Sequence, residues 1–189
     1  GHLPPSDKIN TILIGSGGMG RNNMNGFLDF DEVQVVAVCD VDENQSAMAK
    51  KMVDDKYGNS DCRVYSDYVK LLEEEQADAA ILALPDHWHA LQTVMACDAG
   101  KDVYVEKPLS VTIFEGRRMV EAEKRTGRIL QVGSQMVSSI VVEKARELLA
   151  SGALGEVNLV EGWTNRNSVR GALHWPIPED ASEETIDWD

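Results

Sequence analysis

Three groups of residues in this chain have the types and spacing to do chemistry together. Gly15-Ser16-Gly17-Gly18-Met19-Gly20 is a G-x-G-x-x-G turn closing the apolar run Ile12-Leu13-Ile14. Without a Cβ at Gly17 the backbone can approach a pyrophosphate, and Gly20 lets a following helix pack close to the strand. The free N–H groups of that helix's first turn, together with its dipole, favour negative phosphate oxygens. Asp40 stands twenty residues after Gly20, at the end of a second apolar run, Val33 to Cys39. A carboxylate there accepts hydrogen bonds from the hydroxyls of an adenosine ribose and repels a 2′-phosphate. No arginine lies between residues 39 and 44 to offset that repulsion, so NAD is expected over NADP.

The third group is Glu106-Lys107-Pro108, after the apolar run Asp102-Val103-Tyr104-Val105. Side chains alternate along a strand, so Glu106 and Lys107 are expected on opposite faces. Lys107 would then face a ligand crevice while Glu106 makes a separate contact. Proline fixes its own φ and restricts the residue before it, which places the lysine backbone rigidly. The isomer of the Lys107–Pro108 bond stays open at this level, and the tripeptide alone is equally compatible with a lysine that merely snorkels. Pro85 ends a fourth apolar run and opens Pro85-Asp86-His87-Trp88-His89. Residues i and i+2 of a helix do not share a face, so His87 and His89 are not expected to hold a metal. Trp88, Trp163 and Trp175 are expected as packing residues.

These residues need strands to end beside one another and helices to bridge them. Strand-like runs at Ile9–Ile14, Val33–Cys39, Arg63–Tyr65, Ala79–Leu84, Asp102–Val105 and Ile129–Val132 alternate with helical patterns. Those patterns are Met24, Phe27, Leu28, then Met48, Met52, Val53, then Tyr68, Leu71, Leu72, then Leu91, Val94, Met95. Asp42 and Gln45 stand in capping-box spacing, as do Thr112 and Glu115; Ser66 is the expected cap of the third helix. Gly58, Gly100 and Gly127 are the expected helix stops. The alternation implies an α/β fold, a doubly wound parallel sheet with right-handed crossovers. Ligands of such sheets sit beyond the carboxyl ends of the strands, where all three groups fall.

After residue 135 the pattern changes. Val141, Ala145, Leu148 and Leu149 predict one more helix, ended by Gly152 and Gly155, and Val157–Trp163 predicts a strand of a different sheet. The last eleven residues carry six acids and no base. The expected organisation is therefore a lead-in with a tag remnant at 1–8, a dinucleotide-binding domain at 9–135, and the incomplete start of an α+β substrate domain at 136–189. A net charge of −14 argues against nucleic acid and anionic membrane surfaces as partners. Cys39, Cys62 and Cys97 are odd in number and well separated, as expected for reduced, partly buried thiols.

Taken together, Gly15-x-Gly17-x-x-Gly20, Asp40 and Glu106-Lys107-Pro108 resemble the Gfo/Idh/MocA oxidoreductases. Pro85-Asp86-His87-Trp88-His89 and Ser151-Gly152-Ala153-Leu154-Gly155-Glu156-Val157 are similar to that family as well. The resemblance implies an N-terminal domain that binds NAD(P) and a C-terminal domain that binds a sugar, polyol or related substrate. It implies cofactor contacts from Gly15, Gly17, Gly18, Met19, Gly20, Asp40, Pro85, His89, Glu106 and Lys107. It makes Lys107 the catalytic residue, beside the nicotinamide and the reacting hydroxyl. A homo-oligomer is implied through the C-terminal domain. The family's second motif, an aspartate four positions before a histidine, has no counterpart after Gln135, so these residues alone are expected to bind NAD without turnover. Three readings compete with a dehydrogenase: an NAD-dependent glycoside hydrolase using transient oxidation, a non-catalytic NAD-sensing regulator, and a methyltransferase, for which Glu106-Lys107-Pro108 has no use. Cytoplasmic location is the expectation, periplasmic if an export signal precedes the chain.

Overall fold

The apolar runs become six strands, and the periodic segments between them become helices. The computed structural model describes residues 7–163 and 177–187. In chain order the elements are β1 (Ile9–Ile14), α1 (Gly18–Leu28), β2 (Val33–Cys39), α2 (Glu43–Tyr57), β3 (Arg63–Tyr65), α3 (Tyr68–Glu74), β4 (Ala79–Leu82), α4 (Asp86–Asp98), β5 (Asp102–Glu106), α5 (Ile113–Thr126), β6 (Leu130–Gly133) and α6 (Ile140–Ala150). The strands form one parallel sheet in the order β3-β2-β1-β4-β5-β6. This is the doubly wound Rossmann arrangement, and the order reverses between β1 and β4. The reversal leaves a crevice at their carboxyl ends, because the chain departs from the two strands toward opposite faces.

Alternation along β1 divides the core. Ile12 and Ile14 pack into one buried cluster with Leu82, Val105 and Met119, whereas Leu13 packs into the other with Met24, Val38 and Ile81. Both faces of β1 are therefore covered, which explains its unbroken apolar sequence. Local signals set the helix ends. Asp42 caps α2 by accepting from Asn44 N and Gln45 N, and Gly58 closes it at φ 69°. Thr112 and Glu115 make both halves of a capping box on α5, which Gly127 ends at φ 68°.

Several local expectations give way to tertiary competition. Gln45 accepts from Arg21. Asp67, not Ser66, caps α3, accepting from Val69 N at 2.8 Å. Leu91 and Met48 are exposed; α4 instead buries His89, Ala90, Gln92, Thr93, Ala96 and Cys97, while Val94 and Met95 are partly covered. Val157–Trp163 forms no strand, and Leu159, Val160 and Trp163 are exposed, because no strand among the described residues takes their hydrogen bonds. Trp88 is 39% exposed and meets Tyr68 edge-on, while Trp175 lies outside the described residues.

The chain divides into two compact units. One runs to Gly133 and takes in the segment from Ser182 onward; the other is Ser134–Ala181. The second unit contains α6, capped by Ser139 and with no buried residue. The return of residues 182–187 to the first unit is absent from the sequence reading. It rests on backbone pairing with residues 41–43.

Candidate functional site

The glycine turn is built at the crossing of three strands. Gly15 N donates to Cys39 O at 2.9 Å and Ala83 N donates to Ile14 O at 2.9 Å, so β1 ends between β2 and β4. Gly15 sits at φ 89°, a left-handed conformation that favours glycine. A Cβ added at Gly20 would run into the Gly15 carbonyl, so α1 leaves the turn at the closest approach the backbone allows. At Gly17 and Gly18 an added Cβ meets nothing within 4 Å. The first turn of α1 carries no side-chain cap and no acidic residue. Such a turn suits an anion: it has open space, uncapped N–H groups and the positive end of a helix dipole. Met19, in the same turn, is exposed.

Asp40 is placed against this turn. Its carboxylate accepts from Ser16 N at 2.6 Å and from Asp42 N at 3.0 Å. Burial pushes its pKa up, against the lowering effect of those two N–H bonds, and the neighbouring Asp42 adds to the rise. Arg21 works in the opposite direction. This arginine, on α1, is the cation that inspection of residues 39–44 misses. Its Nη1 donates to Ser16 O at 2.6 Å and to Gln45 Oε1 at 2.5 Å, which ties the glycine turn to α2.

Across the sheet, β5 ends in the lysine turn. Glu106 is buried, and Lys107, just past the end of β5, is exposed. Glu106 Oε1 accepts from Asn23 Nδ2 of α1 at 2.9 Å, and Oε2 accepts from Lys107 N at 3.1 Å. The carboxylate thereby joins the helix that starts at the glycine turn to the backbone of the lysine. The Lys107–Pro108 peptide is cis. His89 is 1% exposed, with Nδ1 2.6 Å from Pro108 O and Nε2 2.9 Å from Leu84 O. The ring lies between the lysine turn and the loop after β4, and whichever nitrogen carries the proton donates to the carbonyl it faces. Pro85 and His87 are exposed beside it.

Three other features bear on the chemistry. The cysteines are buried and free, and burial pushes the Cys39 and Cys62 thiols up to about 12, which leaves them poor nucleophiles at neutral pH. No three His, Cys, Asp or Glu side chains among the described residues are arranged to hold a metal. No helix there is long and apolar enough to cross a membrane.

Comparison with known proteins identifies the family and the fold. The family model for the Gfo/Idh/MocA oxidoreductase family, NAD-binding Rossmann fold, matches residues 9–134. An inositol 2-dehydrogenase of Salmonella paratyphi B is 30% identical over 152 residues, covering 79% of this chain and 44% of that protein. The crystal structure of myo-inositol 2-dehydrogenase from Lactobacillus plantarum superposes with a TM-score of 0.71 at 26% identity, covering 79% of this chain and 43% of that one. The WlbA dehydrogenase from Bordetella pertussis, solved with NADH and UDP-GlcNAcA, gives 0.67 at 27% identity, covering 78% and 43%. The chain thus spans less than half the length of these relatives.

Proposed function

Because the chain belongs to the Gfo/Idh/MocA oxidoreductases, we propose that it is the nucleotide-binding part of an NAD-dependent dehydrogenase acting on a secondary alcohol of a sugar, polyol or related compound. The observation that carries this reading is a lysine with a clamped backbone at the same edge of the sheet as an open glycine turn. In this reading Gly17, Gly18 and the first N–H groups of α1 hold the pyrophosphate. Asp40 holds the adenosine ribose, and Pro85 and the Glu106–Lys107 turn line the nicotinamide side. NAD, when bound, supplies the hydride acceptor, and the protein contributes position and electrostatics.

Lys107 would hydrogen-bond the substrate oxygen and accept or relay the proton that the hydroxyl gives up as its carbon loses a hydride, so that the alcohol becomes a carbonyl. Glu106 and Asn23 set the height of the lysine backbone above the sheet. His89, buried between Pro108 O and Leu84 O, acts through that backbone as a positioning residue. The names of the inositol dehydrogenase relatives, and the sugar nucleotide in the Bordetella structure, support the substrate class.

The test uses the whole protein that contains this chain, with NAD and a panel of sugars and polyols. Lys107→Met is expected to lower turnover by about 10²–10⁴, the usual worth of a proton-handling group. NAD affinity should stay within a few-fold of wild type. Turnover within a few-fold of wild type would make Lys107 a structural residue and end this mechanism.

A further inference from the structure

The carboxyl ends of β2 and β3 open onto a cavity of about 800 Å³ lined by Val41, Glu43, Ser66 and residues 182–187. The returning segment is held there by its backbone. Glu43 N donates to Thr185 O at 3.0 Å, Asp187 N donates to Val41 O at 2.8 Å, and Asp42 and Ile186 form an antiparallel bridge. The segment has its own internal frame as well. Ile186 N donates to Ser182 O at 3.1 Å, Ser182 N to Thr185 Oγ1 at 3.0 Å, and Glu184 N to Ser182 Oγ at 3.2 Å. It is thus a folded turn attached to the residues directly after Asp40.

Position identifies what the cavity would take. A ligand whose pyrophosphate lies at Gly17 and whose ribose lies at Asp40 continues away from the β1–β4 crevice, toward β2 and β3. The next group along is the base. Val41 is 51% exposed, an apolar side chain left at the rim of that path. Glu43, Glu183, Glu184 and Asp187 give the cavity a negative lining, which favours a neutral heterocycle over an anionic group. We propose that the Ser182–Asp187 segment forms the outer wall of the adenine subsite, beside the exposed side chain of Val41. This rests on the dinucleotide reading above and adds a binding element from outside the contiguous Rossmann sequence.

The test is calorimetric titration of the 189-residue chain with NAD, ADP-ribose and nicotinamide mononucleotide. Asp187→Pro removes the N–H that Val41 O accepts, and Ile186→Ser removes the apolar side chain of the bridge. Neither belongs to the buried clusters of the sheet, and unchanged circular dichroism confirms that each variant is folded. Each variant is expected to weaken NAD and ADP-ribose about tenfold, equivalent to about 1.4 kcal/mol, and to leave nicotinamide mononucleotide unchanged. Wild-type binding of NAD with unaltered affinity in both variants overturns the wall and leaves the cofactor reading intact. Tighter ADP-ribose binding in the variants also overturns it, since the segment would then obstruct the site. No NAD binding by the wild type removes the cofactor reading and the wall with it.

Discussion

The glycine turn permits a separation of fold from ligand at neighbouring positions. At Gly20 a methyl group meets protein: the Gly15 carbonyl, with its carbon at 3.0 Å, and Ala83 Cβ at 3.4 Å. These contacts are mostly backbone and cannot swing aside. Overpacking of this kind costs about 1–3 kcal/mol, and the rigid contacts place it near the upper end. Replacing a helical glycine returns up to about 1 kcal/mol. The net loss for Gly20→Ala is about 1–2 kcal/mol, or roughly 2–8 °C in Tm for a chain of this size. At Gly17 and Gly18 a methyl group meets nothing. Gly17 is the α1 N-cap at φ −61°, which alanine adopts without strain, and Gly18 is the first helical residue. A poorer cap costs up to about 1 kcal/mol and the better helix former returns a similar amount. The Gly17→Ala/Gly18→Ala double variant should therefore melt within about 3 °C of wild type. Its two methyl groups, however, occupy the space assigned to the pyrophosphate. Loss of one charge-assisted hydrogen bond there is worth about 1.5–3 kcal/mol, a ten- to hundredfold rise in the Kd for NAD. Calorimetric melting without ligand and titration with NAD read the two effects independently. Wild-type affinity in the double variant, or wild-type melting of Gly20→Ala, would refute the assignment of these glycines.

Two further outcomes concern the groups around the turn. Asp40→Ala should narrow the preference for NAD over NADP, and adding Arg21→Ala should weaken NADP again, because Arg21 is the cation beside that carboxylate; equal NADP affinity in the wild type would remove Asp40 from its role. The raised pKa of Asp40 also has a sign: acidification protonates it earlier than an ordinary aspartate, which favours the apo fold and weakens acceptance from the ribose. The Tm gain conferred by NAD should shrink as pH falls through that raised value, and the step should vanish in Asp40→Ala. Glu106→Gln turns one carboxylate oxygen into an amide NH₂ facing an N–H donor, from either Asn23 or Lys107; a loss of about 1–3 kcal/mol in urea unfolding is expected, and unchanged stability would mean that the clamp is not formed.

What could be read from the sequence was local or periodic. The turn at Gly15–Gly20, the acid closing β2, the Thr112–Glu115 capping box and the six strand runs are each set by residues close together in sequence. Neighbouring residues therefore sufficed to predict them. Where prediction failed, a partner distant in sequence intervened. Gln45 has capping-box spacing, yet Arg21 draws its side chain away. Lys101, which no motif in the sequence singles out, is buried, with Nζ donating to Glu75 O at 2.8 Å. Glu75 is buried in turn, paired with Arg63 and accepting from Tyr65 Oη. No spacing rule links residues 63, 75 and 101.

The same limit explains why Lys107 could be named from sequence but its support could not. Glu106 was expected to make a separate structural contact, yet that contact is Asn23, which belongs to the helix leaving the glycine turn. The tie has a consequence for function. A change that moves α1 relative to β5 also moves the Lys107 backbone, because Glu106 holds both. His89 provides the matching tie on the other side, between the loop after β4 and Pro108. The residues proposed to grip the cofactor and the residue proposed to handle the substrate oxygen thus share one hydrogen-bonded frame. Positional error between them is limited by short bonds to buried groups. Such fixed geometry is what a transfer between two bound molecules requires.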